Sequence, residues 1–263
     1  MARDRASTVR SYAYDDLFFH YIQQGATRSA QHIAPLVIDA LGARSVLDVG
    51  CGAGAWLDVY SKLGVETCLG VDGDYVKPDM LLIPPKDFIA SDISRPFDVE
   101  RRFDLVQCLE VGEHLPTSAS RTLVENLVRH GGSILFSAAT PGQGGENHIN
   151  EQPYEFWRQL FAEHGYAPYD FLRPQIAGVK QIEIWYRHNA VLYVSRRAQA
   201  SLASDVAATR VPDGVPIPHR SSVAYRVRAR ILSTLPVTWL SRMAIWKHRG
   251  ILLVRAVTNS SGN

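Results

Sequence analysis

Between residues 45 and 196 the chain alternates short apolar, β-branched runs with longer segments whose apolar positions recur at helical spacing. The first pattern predicts buried strands and the second predicts amphipathic helices. The predicted strands are 45–50, 66–74, 88–93, 103–111 and 133–141, with an antiparallel edge pair in 180–196, and the predicted helices are 53–64, 118–132 and 153–166. This alternation predicts an α/β fold: a Rossmann-like, doubly wound, mostly parallel seven-stranded sheet with an antiparallel edge strand.

Two segments flank the predicted sheet. Before it, residues 12–41 have helical spacing and end at Gly42. After it, a small, polar, proline-rich stretch typical of a linker precedes apolar residues interleaved with cations, which predict a basic, amphipathic, helical extension. The predicted parts are an N-terminal helical cap at 1–44, the sheet core at 45–196, a linker at 197–222 and the C-terminal extension at 223–263.

Charge divides the chain in the same way. Residues 1–195 contain 17 Lys and Arg against 24 Asp and Glu, whereas residues 196–263 contain 11 against 2. An acidic body is not typical of a nucleic-acid-binding protein. The basic tail fits docking on that body, peripheral contact with an anionic membrane surface, or non-specific contact with nucleic acid, and these alternatives stay open in this order.

Composition bounds the class of protein. Charged residues make up 21% and hydrophobic residues 46% of the 263 residues, values typical of a globular chain. The odd number of cysteines favours reduced thiols, and neither a signal-peptide pattern nor a long apolar run is found. The expected location is the cytoplasm, with the basic tail allowing peripheral contact at the inner membrane surface.

The sequence SVLDVGCGAGAW, residues 45–56, runs from the first predicted strand into a loop with glycine at positions 50, 52 and 54. In an open parallel sheet, ligands bind beyond the carboxyl ends of the strands, where this loop lies. Closely spaced glycines let the backbone approach a dinucleotide or S-adenosylmethionine. Ala55 stands where the dinucleotide pattern has its third glycine. The spacing leaves both ligands open, as well as a tight turn that binds neither.

Aspartates near the ends of three predicted strands favour the cationic ligand. Asp72 lies about 20 residues after the glycines, where a carboxylate can accept hydrogen bonds from ribose hydroxyls. Asp92 ends the next strand, where it can accept from an adenine amino group, and Asp48 lies near the expected methionine moiety. Carboxylates repel a pyrophosphate but attract a sulfonium and an ammonium. S-adenosylmethionine is therefore the predicted cofactor.

Four segments in succession, VLDVGCGAGAW, GVDGD, ASDIS and FDLVQCLEVGEHLP, resemble the motifs of class I S-adenosylmethionine-dependent methyltransferases, and the resemblance covers roughly residues 20–195. It implies methyl transfer that leaves S-adenosylhomocysteine. It also implies that the three glycines pass under the methionine and ribose, that Asp72 holds the ribose, that Asp92 with Ile93 flanks the adenine, and that Leu109 or Glu110 lines the sulfur side. The predicted cofactor-binding residues are Ser29, Asp48, Gly50, Gly52, Gly54, Asp72, Gly73, Asp92, Ile93, Leu109 and Glu110.

Ser29 enters this set through the N-terminal helix, which often covers the cofactor in such enzymes. Its hydroxyl is a candidate partner for the methionine carboxylate. A plain helix cap is the alternative role for this serine.

Candidate catalytic residues lie in EVGEHLP (110–116) and GQGGENHINEQ (142–152). His148 is the candidate general base, because an imidazole can take a proton near neutral pH and methylation of a hydroxyl requires its removal. The alternative is a histidine that only bonds a loop carbonyl. Glu113 and His114 are further catalytic candidates, with bracing of the site floor as their alternative role.

The pattern E-x-x-E-H at Glu110, Glu113 and His114, together with His148, offers oxygen and nitrogen ligands for a divalent metal. It resembles the metal site of small-RNA 2′-O-methyltransferases and of quinone-pathway O-methyltransferases. Similar segments also occur in family members that hold no metal. Metal dependence therefore stays open.

The segments SAATPGQGGENHINEQPYEFWRQLF, LRPQI and IEIWYRHN resemble a bacterial branch of these enzymes associated with surface-glycan or secondary-metabolite pathways. The resemblance implies O-methylation of a sugar, a glycan or a related small metabolite. One alternative is a metal-dependent RNA 2′-O-methyltransferase, which the E-x-x-E-H pattern and the tail would serve. The other is a nicotinamide-dependent oxidoreductase on the same fold.

Overall fold

The chain, represented by a computed structural model that describes residues 16–235 and 239, folds around a seven-stranded sheet in the order β3-β2-β1-β4-β5-β7-β6. The strands are β1 Ser45–Val49, β2 Thr67–Asp72, β3 Phe88–Ala90, β4 Leu105–Leu109, β5 Ser133–Ser137, β6 Tyr166–Tyr169 and β7 Val191–Ser195. The five strands β1 to β5 pair in parallel, and β7 is antiparallel to both β5 and β6. The predicted doubly wound, mostly parallel sheet with an antiparallel edge is confirmed.

Helices cover both faces of this sheet. They are α1 Asp16–Leu41, α2 Ala55–Lys62, α3 Ser120–His130, α4 Tyr154–Glu163, α5 Leu172–Ile176, α6 Ile184–Asn189, α7 Ser204–Ala207 and α8 Val223–Leu232. Successive strand residues point to opposite faces, so Val46 packs in the core beneath α1 and α2, whereas Leu47 packs in the core beneath α3 and α4. Burial on both faces explains why the strands read as nearly continuous apolar runs.

The predicted pair of strands within residues 180–196 is half wrong. Only Val191–Ser195 forms a strand, and Ile184–Asn189 forms the short helix α6. Tyr186 and Asn189 are buried on one side of this helix, against the core that contains α1 and α5. The residues IEIWYRHN, whose pattern resembles that of a strand, therefore include about one and a half turns of an amphipathic helix.

The partner of β7 at the sheet edge is instead Tyr166–Tyr169, which the sequence analysis assigned to the end of a helix and a loop. Its proline hides the strand in the sequence. Pro168 is tolerated because β6 is an edge strand, where a missing backbone donor leaves no ladder bond unmade. On the far side of β6, the carbonyl of Pro168 accepts a hydrogen bond from the Val211 backbone at 2.9 Å.

Residues 197–222, predicted to be a linker, instead pack along the body. Val206, Val211 and Ile217 are buried, and the Arg158 guanidinium on α4 donates to the carbonyls of Pro212 and Val215 at 2.7 and 2.5 Å. Buried apolar side chains at wide spacing hold this segment without long regular elements. Composition alone hid them, because prolines and small polar residues separate the buried positions.

The described part of the predicted C-terminal extension is α8 with its following turn. Residues 236–238 and 240–263 of that extension, and residues 1–15 of the predicted cap, lie outside the described residues. No helix in the described part of the chain has both the length and the hydropathy needed to cross a bilayer.

Candidate functional site

The five parallel strands end at one edge of the sheet, and the predicted site residues other than Ser29 lie at or just beyond those ends. We call the ends of β1, β2 and β3 the cofactor side. The acceptor side comprises the segment after β4, the loop 138–152 after β5, and helix α6. The topology thus brings side chains between residues 48 and 189 together at the carboxyl ends of the strands, where ligands bind in open parallel sheets.

The glycine loop adopts left-handed backbone at all three glycines, with φ of +82° at Gly50, +53° at Gly52 and +83° at Gly54. A methyl group at Gly50 would lie 2.4 Å from the Val111 side chain, and one at Gly54 would lie 2.9 Å from Ile83. A methyl group at Gly52 would meet nothing within 4 Å. Gly50 and Gly54 therefore let the protein pack on its own backbone, and only Gly52 leaves open space for a ligand.

Asp72, at the end of β2, holds this loop in shape. One of its carboxylate oxygens accepts a hydrogen bond from the Gly52 backbone at 2.6 Å, and the other accepts from the Gly73 backbone at 2.7 Å and from the Tyr75 hydroxyl. Burial raises the pKa of the Asp72 carboxyl, and these three hydrogen bonds oppose the rise. The carboxylate thus stands beside the open face of Gly52, where a polyhydroxyl ligand could reach it.

Asp48 lies on β1, buried to 3% exposure. Burial raises the pKa of its carboxyl to about 7, with a smaller contribution from the negative charge of Asp72, while the neighbouring Gln107 amide partly offsets the rise. A cation placed beside Asp48 would favour its ionised form. The cofactor side therefore suits a positively charged ligand, with Asp48 as the group whose ionisation responds to it.

Asp92 and Ser29 make contacts that already use their polar atoms. Asp92 is exposed, accepts from the Ser94 backbone at 3.0 Å and pairs with Arg95. The buried Ser29 hydroxyl donates to the Gly25 carbonyl at 2.8 Å and accepts from the Glu183 backbone at 3.0 Å, which ties α1 to the segment before α6. Cofactor contacts for these two residues stay predictions. Of the remaining predicted residues, Ile93 and Leu109 are buried at this edge, and Gly73 lies against the Tyr75 ring.

Glu110 opens the acceptor side from an unusual backbone position, with φ of +55°. Its carboxylate accepts from the side-chain amides of Gln143 at 3.0 Å and Asn189 at 3.2 Å. The Asn189 amide also donates to Gln143 at 2.8 Å, and its oxygen accepts from the Tyr154 hydroxyl at 3.1 Å. A left-handed backbone at a non-glycine residue is strained and is typical of functional positions.

Gln143, Asn189 and Tyr154 were missed by the sequence analysis. Asn189 was read as part of a strand turn, and the other two were read as loop and helix positions without a role. Only the fold brings residues 79 positions apart, Glu110 and Asn189, into one polar network.

Of the four residues in the predicted ligand set, Glu113, His114 and His148 come together, with one potential ligand atom from each lying within 4.8 Å of the others, and Glu110 does not belong to this cluster. Neither carboxyl oxygen of the fully buried Glu113 accepts a hydrogen bond of normal geometry within the described chain, although the backbones of Glu113 and Ala139 and the Glu110 carboxyl lie close to it. Burial and the charge of Glu110 hold the pKa of Glu113 well above its ordinary value. Burial, followed by the neighbouring His148, lowers the pKa of His114 to about 4. Without a further ligand, the cluster therefore favours a protonated Glu113 and a neutral His114.

His148 is oriented by a carboxylate. Its Nδ1 lies 3.0 Å from Glu151, whose two oxygens accept from the backbones of Gly142 at 2.8 Å and Gly144 at 2.7 Å. Its Nε2 would lie 2.0 Å from a methyl group at Gly145, so the ring rests directly on that glycine. A histidine whose Nδ1–H donates to a carboxylate keeps Nε2 as a proton acceptor or a metal ligand.

Backbone hydrogen bonds join the two segments that carry these groups. The backbones of Ile149 and Asn150 donate to the Glu113 carbonyl at 2.9 and 3.0 Å. The buried Asn150 side chain also donates to the Gly112 carbonyl at 3.0 Å. The loop after β5 is therefore held against the segment after β4, which explains why its glycine-rich sequence is ordered around His148.

Comparison with known proteins agrees with this architecture. The family model described as a methyltransferase domain matches residues 18–172, more than half of the chain. The ubiquinone biosynthesis O-methyltransferase of Alkalilimnicola ehrlichii is 31% identical over 129 residues, covering 43% of this chain and 52% of that protein. The enzyme of the same name from Acinetobacter baylyi is 32% identical over 106 residues, covering 37% and 44%. The chain thus spans about half the length of these curated relatives.

A solved structure shares the fold over a larger part of the chain. The X-ray structure of a sugar N-methyltransferase from Streptoalloteichus aligns with 74% of this chain and 99% of its own, with a TM-score of 0.51 and 18% identity. At this identity the match concerns the fold alone.

Proposed function

The chain belongs to the methyltransferase domain family, a class of S-adenosylmethionine-dependent enzymes, and we propose that it methylates a hydroxyl group of a sugar, a glycan or a related small metabolite. The observation that carries this proposal is the His148–Glu151 pair at 3.0 Å, beside the polar network around Glu110. Oxygen nucleophiles need a proton acceptor, and this pair supplies one.

The cofactor side fits S-adenosylmethionine. Its residues offer an open backbone at Gly52, a carboxylate at Asp72 for the ribose hydroxyls, and the acid Asp48 for a cationic methionine moiety. When bound, the cofactor supplies a methyl group already activated by its sulfonium. The protein's own work is therefore to orient the acceptor in line with that methyl group and to exclude competing water.

On the acceptor side, Glu151 keeps the proton of His148 on Nδ1, which leaves Nε2 to take the hydroxyl proton of the acceptor. A new oxygen–carbon bond on the acceptor would replace the sulfur–carbon bond of the bound cofactor, whose sulfur would keep the electron pair, so that S-adenosylhomocysteine would be the product to release. The imidazolium that results is stabilised by the Glu151 carboxylate. The side chains of Glu151 and His148 are each 12% exposed, so the pair is largely shielded from water but still accessible to an acceptor.

The choice of a hydroxyl acceptor is supported by two features. Amides, hydroxyls and carboxylates of Glu110, Gln143, Asn189 and Tyr154 offer both donors and acceptors, which suits a polyhydroxylated molecule. The curated relatives at 31 and 32% identity are named as O-methyltransferases.

A second candidate function uses a divalent cation at the same place, as in the alternative of a metal-dependent RNA 2′-O-methyltransferase. The residues fit a cation, because two buried Glu113 oxygens that accept no hydrogen bond of normal geometry from the described residues lie beside His114 and His148. A bound cation would act as a Lewis acid toward the acceptor hydroxyl. Glu113 would have to lose its proton first, so cation affinity would rise with pH. The family match leaves the nicotinamide oxidoreductase alternative without support.

The test measures S-adenosylhomocysteine released by ligand-stripped protein with a panel of sugars, glycans, phenolic metabolites and short RNAs, with and without EDTA. We expect turnover on a small hydroxyl acceptor. His148→Ala should lower that turnover by about 10² and leave cofactor affinity by calorimetry unchanged. The exposed His164, at the end of α4, provides the matched control variant His164→Ala.

Three outcomes would contradict the proposal in different ways. Failure to bind S-adenosylmethionine or its product would end the assignment altogether. Turnover on RNA alone, abolished by EDTA, would replace the proposal with the second candidate. Equal turnover of His148→Ala and His164→Ala would remove His148 as the base.

A further inference from the structure

A groove of about 320 Å³ lies between the loop after β5 and helix α8. Pro141 and Pro153 form one wall, and the other is formed by α8 and the residues before it, with His219, Tyr225, Arg226 and Arg230 among its lining. Its volume lies at the lower end of small-molecule sites. Neither the methyl-transfer chemistry nor the cofactor side uses this groove.

The lining is cationic, and none of the described residues in it carries a carboxylate. Arg226 and Arg230 lie one helical turn apart on the same side of α8, and within the described residues neither guanidinium pairs with an acid. Burial, followed by the charges of Arg226 and Arg173, lowers the pKa of His219. The described lining thus concentrates positive charge at the groove, and the hydroxyls of Thr140 and Ser221 add further donors, whereas the Ser233 hydroxyl donates to the Arg230 carbonyl at 2.9 Å.

The groove lies next to the acceptor side. The ring of Tyr225, which lines the groove, packs against the ring of His188 on α6, with 4.7 Å between the ring centroids. The charges of Glu110 and Glu151 contribute to a raised pKa of the Tyr225 hydroxyl, after burial and against Arg228. The loop and the helix also touch closely, since a methyl group at Gly142 would lie 1.8 Å from the Ala229 carbonyl. The groove therefore borders the acceptor side.

We propose that the groove binds a phosphate or diphosphate group carried by the acceptor. Guanidinium groups bind phosphate oxygens through paired hydrogen bonds, and two of them one turn apart match the spread of charge on a diphosphate. This inference rests on the proposed function in one respect, namely that the group belongs to the methyl acceptor. It narrows the substrate class to phosphorylated sugars or phosphate-linked glycans.

The phosphate can belong to a soluble molecule or to a lipid. The solvent-facing side of α8 exposes Val223, Val227 and Ile231, at 66, 55 and 63%. An apolar stripe next to a phosphate groove is compatible with a lipid carrier, so the experiment examines both sources.

The experiment compares the unchanged chain, the double variant Arg226→Gln/Arg230→Gln, and the control variant Arg228→Gln. Arg228 is on the same helix and exposed, but it does not line the groove. Calorimetry at fixed ionic strength measures binding of pyrophosphate, and flotation measures binding to phosphatidylcholine vesicles with and without phosphatidic acid. S-adenosylhomocysteine affinity is measured on all three proteins.

We expect the double variant to bind pyrophosphate, or phosphatidic-acid vesicles, at least about tenfold more weakly than the unchanged chain does. The Arg228→Gln variant should bind these ligands as tightly as the unchanged chain does. Loss confined to pyrophosphate supports a soluble phosphate, and loss confined to vesicles supports a lipid-borne one. The proposal would be overturned if Arg228→Gln weakened binding as much as the double variant does. It would also be overturned if the double variant bound both pyrophosphate and the vesicles as tightly as the unchanged chain does. Normal S-adenosylhomocysteine affinity in the same samples separates such a failure from failure of the proposed function.

Discussion

On the cofactor side, both carboxylate oxygens of Asp72 accept hydrogen bonds, from Gly52, Gly73 and Tyr75. On the acceptor side, neither carboxyl oxygen of Glu113 accepts a hydrogen bond of normal geometry from the described residues. Both carboxyl groups are buried and lie near the ends of parallel strands. The same topology therefore carries one carboxyl group that the protein itself holds by hydrogen bonds and one that it does not.

The difference reflects what each side has to do before its ligand arrives. A glycine loop keeps its shape only if its backbone donors are bonded, and Asp72 bonds the one at Gly52 as well as the backbone of Gly73 after β2. A buried polar group without a partner costs about 1–3 kcal/mol, so it is retained where a ligand, a proton or a cation completes it. The buried Nδ1 of His188 is a further unpartnered atom among the described residues on the acceptor side.

The largest expected effect removes the Asp72 carboxylate. Asp72→Ala leaves the backbone N–H groups of Gly52 and Gly73 without their partner and takes away the acceptor for the ribose hydroxyls. Because hydrogen bonds to a charged group contribute about 1.5–3 kcal/mol each, S-adenosylhomocysteine affinity measured by calorimetry should fall by about 100-fold. The exposed Asp74 supplies the control variant Asp74→Ala, with affinity near that of the unchanged chain. Equal losses in the two variants would show that Asp72 has no special role.

A second prediction tests the acceptor side, with two glycines that share a left-handed backbone. Gly142→Ala places a methyl group 1.8 Å from the Ala229 carbonyl on α8, whereas Gly144→Ala meets nothing within 4 Å. Overpacking costs roughly 1–3 kcal/mol, and a backbone carbonyl cannot move aside as a side chain can. Amide hydrogen exchange across residues 223–232 should therefore accelerate by about tenfold or more in Gly142→Ala alone. Equal exchange in both variants would contradict the close contact between loop and helix.

Most of the sheet could be predicted because buried parallel strands carry a local signal. The runs at β1, β2, β4 and β5 are apolar on both faces, so each is visible without knowing its neighbours. The antiparallel edge was harder. Pro168 within β6 breaks the strand pattern, and the aromatic residues of α6 imitate one, so both assignments depended on contacts that are distant in sequence.

The candidate site divides in the same way. Gly50, Gly52, Gly54 and Asp72 lie within 23 residues and were grouped from spacing. The separate roles of the glycines were not visible, because Val111 and Ile83, which pack on two of them, come from elsewhere in the chain. Asn189 on the acceptor side and Arg226 in the groove next to it carry no motif, and only the packing of α6 and α8 brings them to the loop that carries His148.

The smallest expected effect concerns Asp48 on the cofactor side, whose carboxyl has a pKa near neutral pH. The pKa of Asp48 in the folded chain is about 7, against an ordinary value of 3.8, so folding favours its protonated form. The resulting stabilisation of the folded chain is complete below pH 3.8 and is lost as the pH rises through 7. A cationic ligand, in contrast, favours the ionised form of Asp48. S-adenosylmethionine affinity should therefore rise between pH 6 and pH 8, by at most about tenfold, while the free energy of unfolding of the ligand-free chain falls. Asp48→Asn should flatten both trends in calorimetry and chemical denaturation, which also separates them from titration of the ligand itself. If the unchanged chain and Asp48→Asn give parallel pH profiles, the charge of Asp48 does not contribute to cofactor binding.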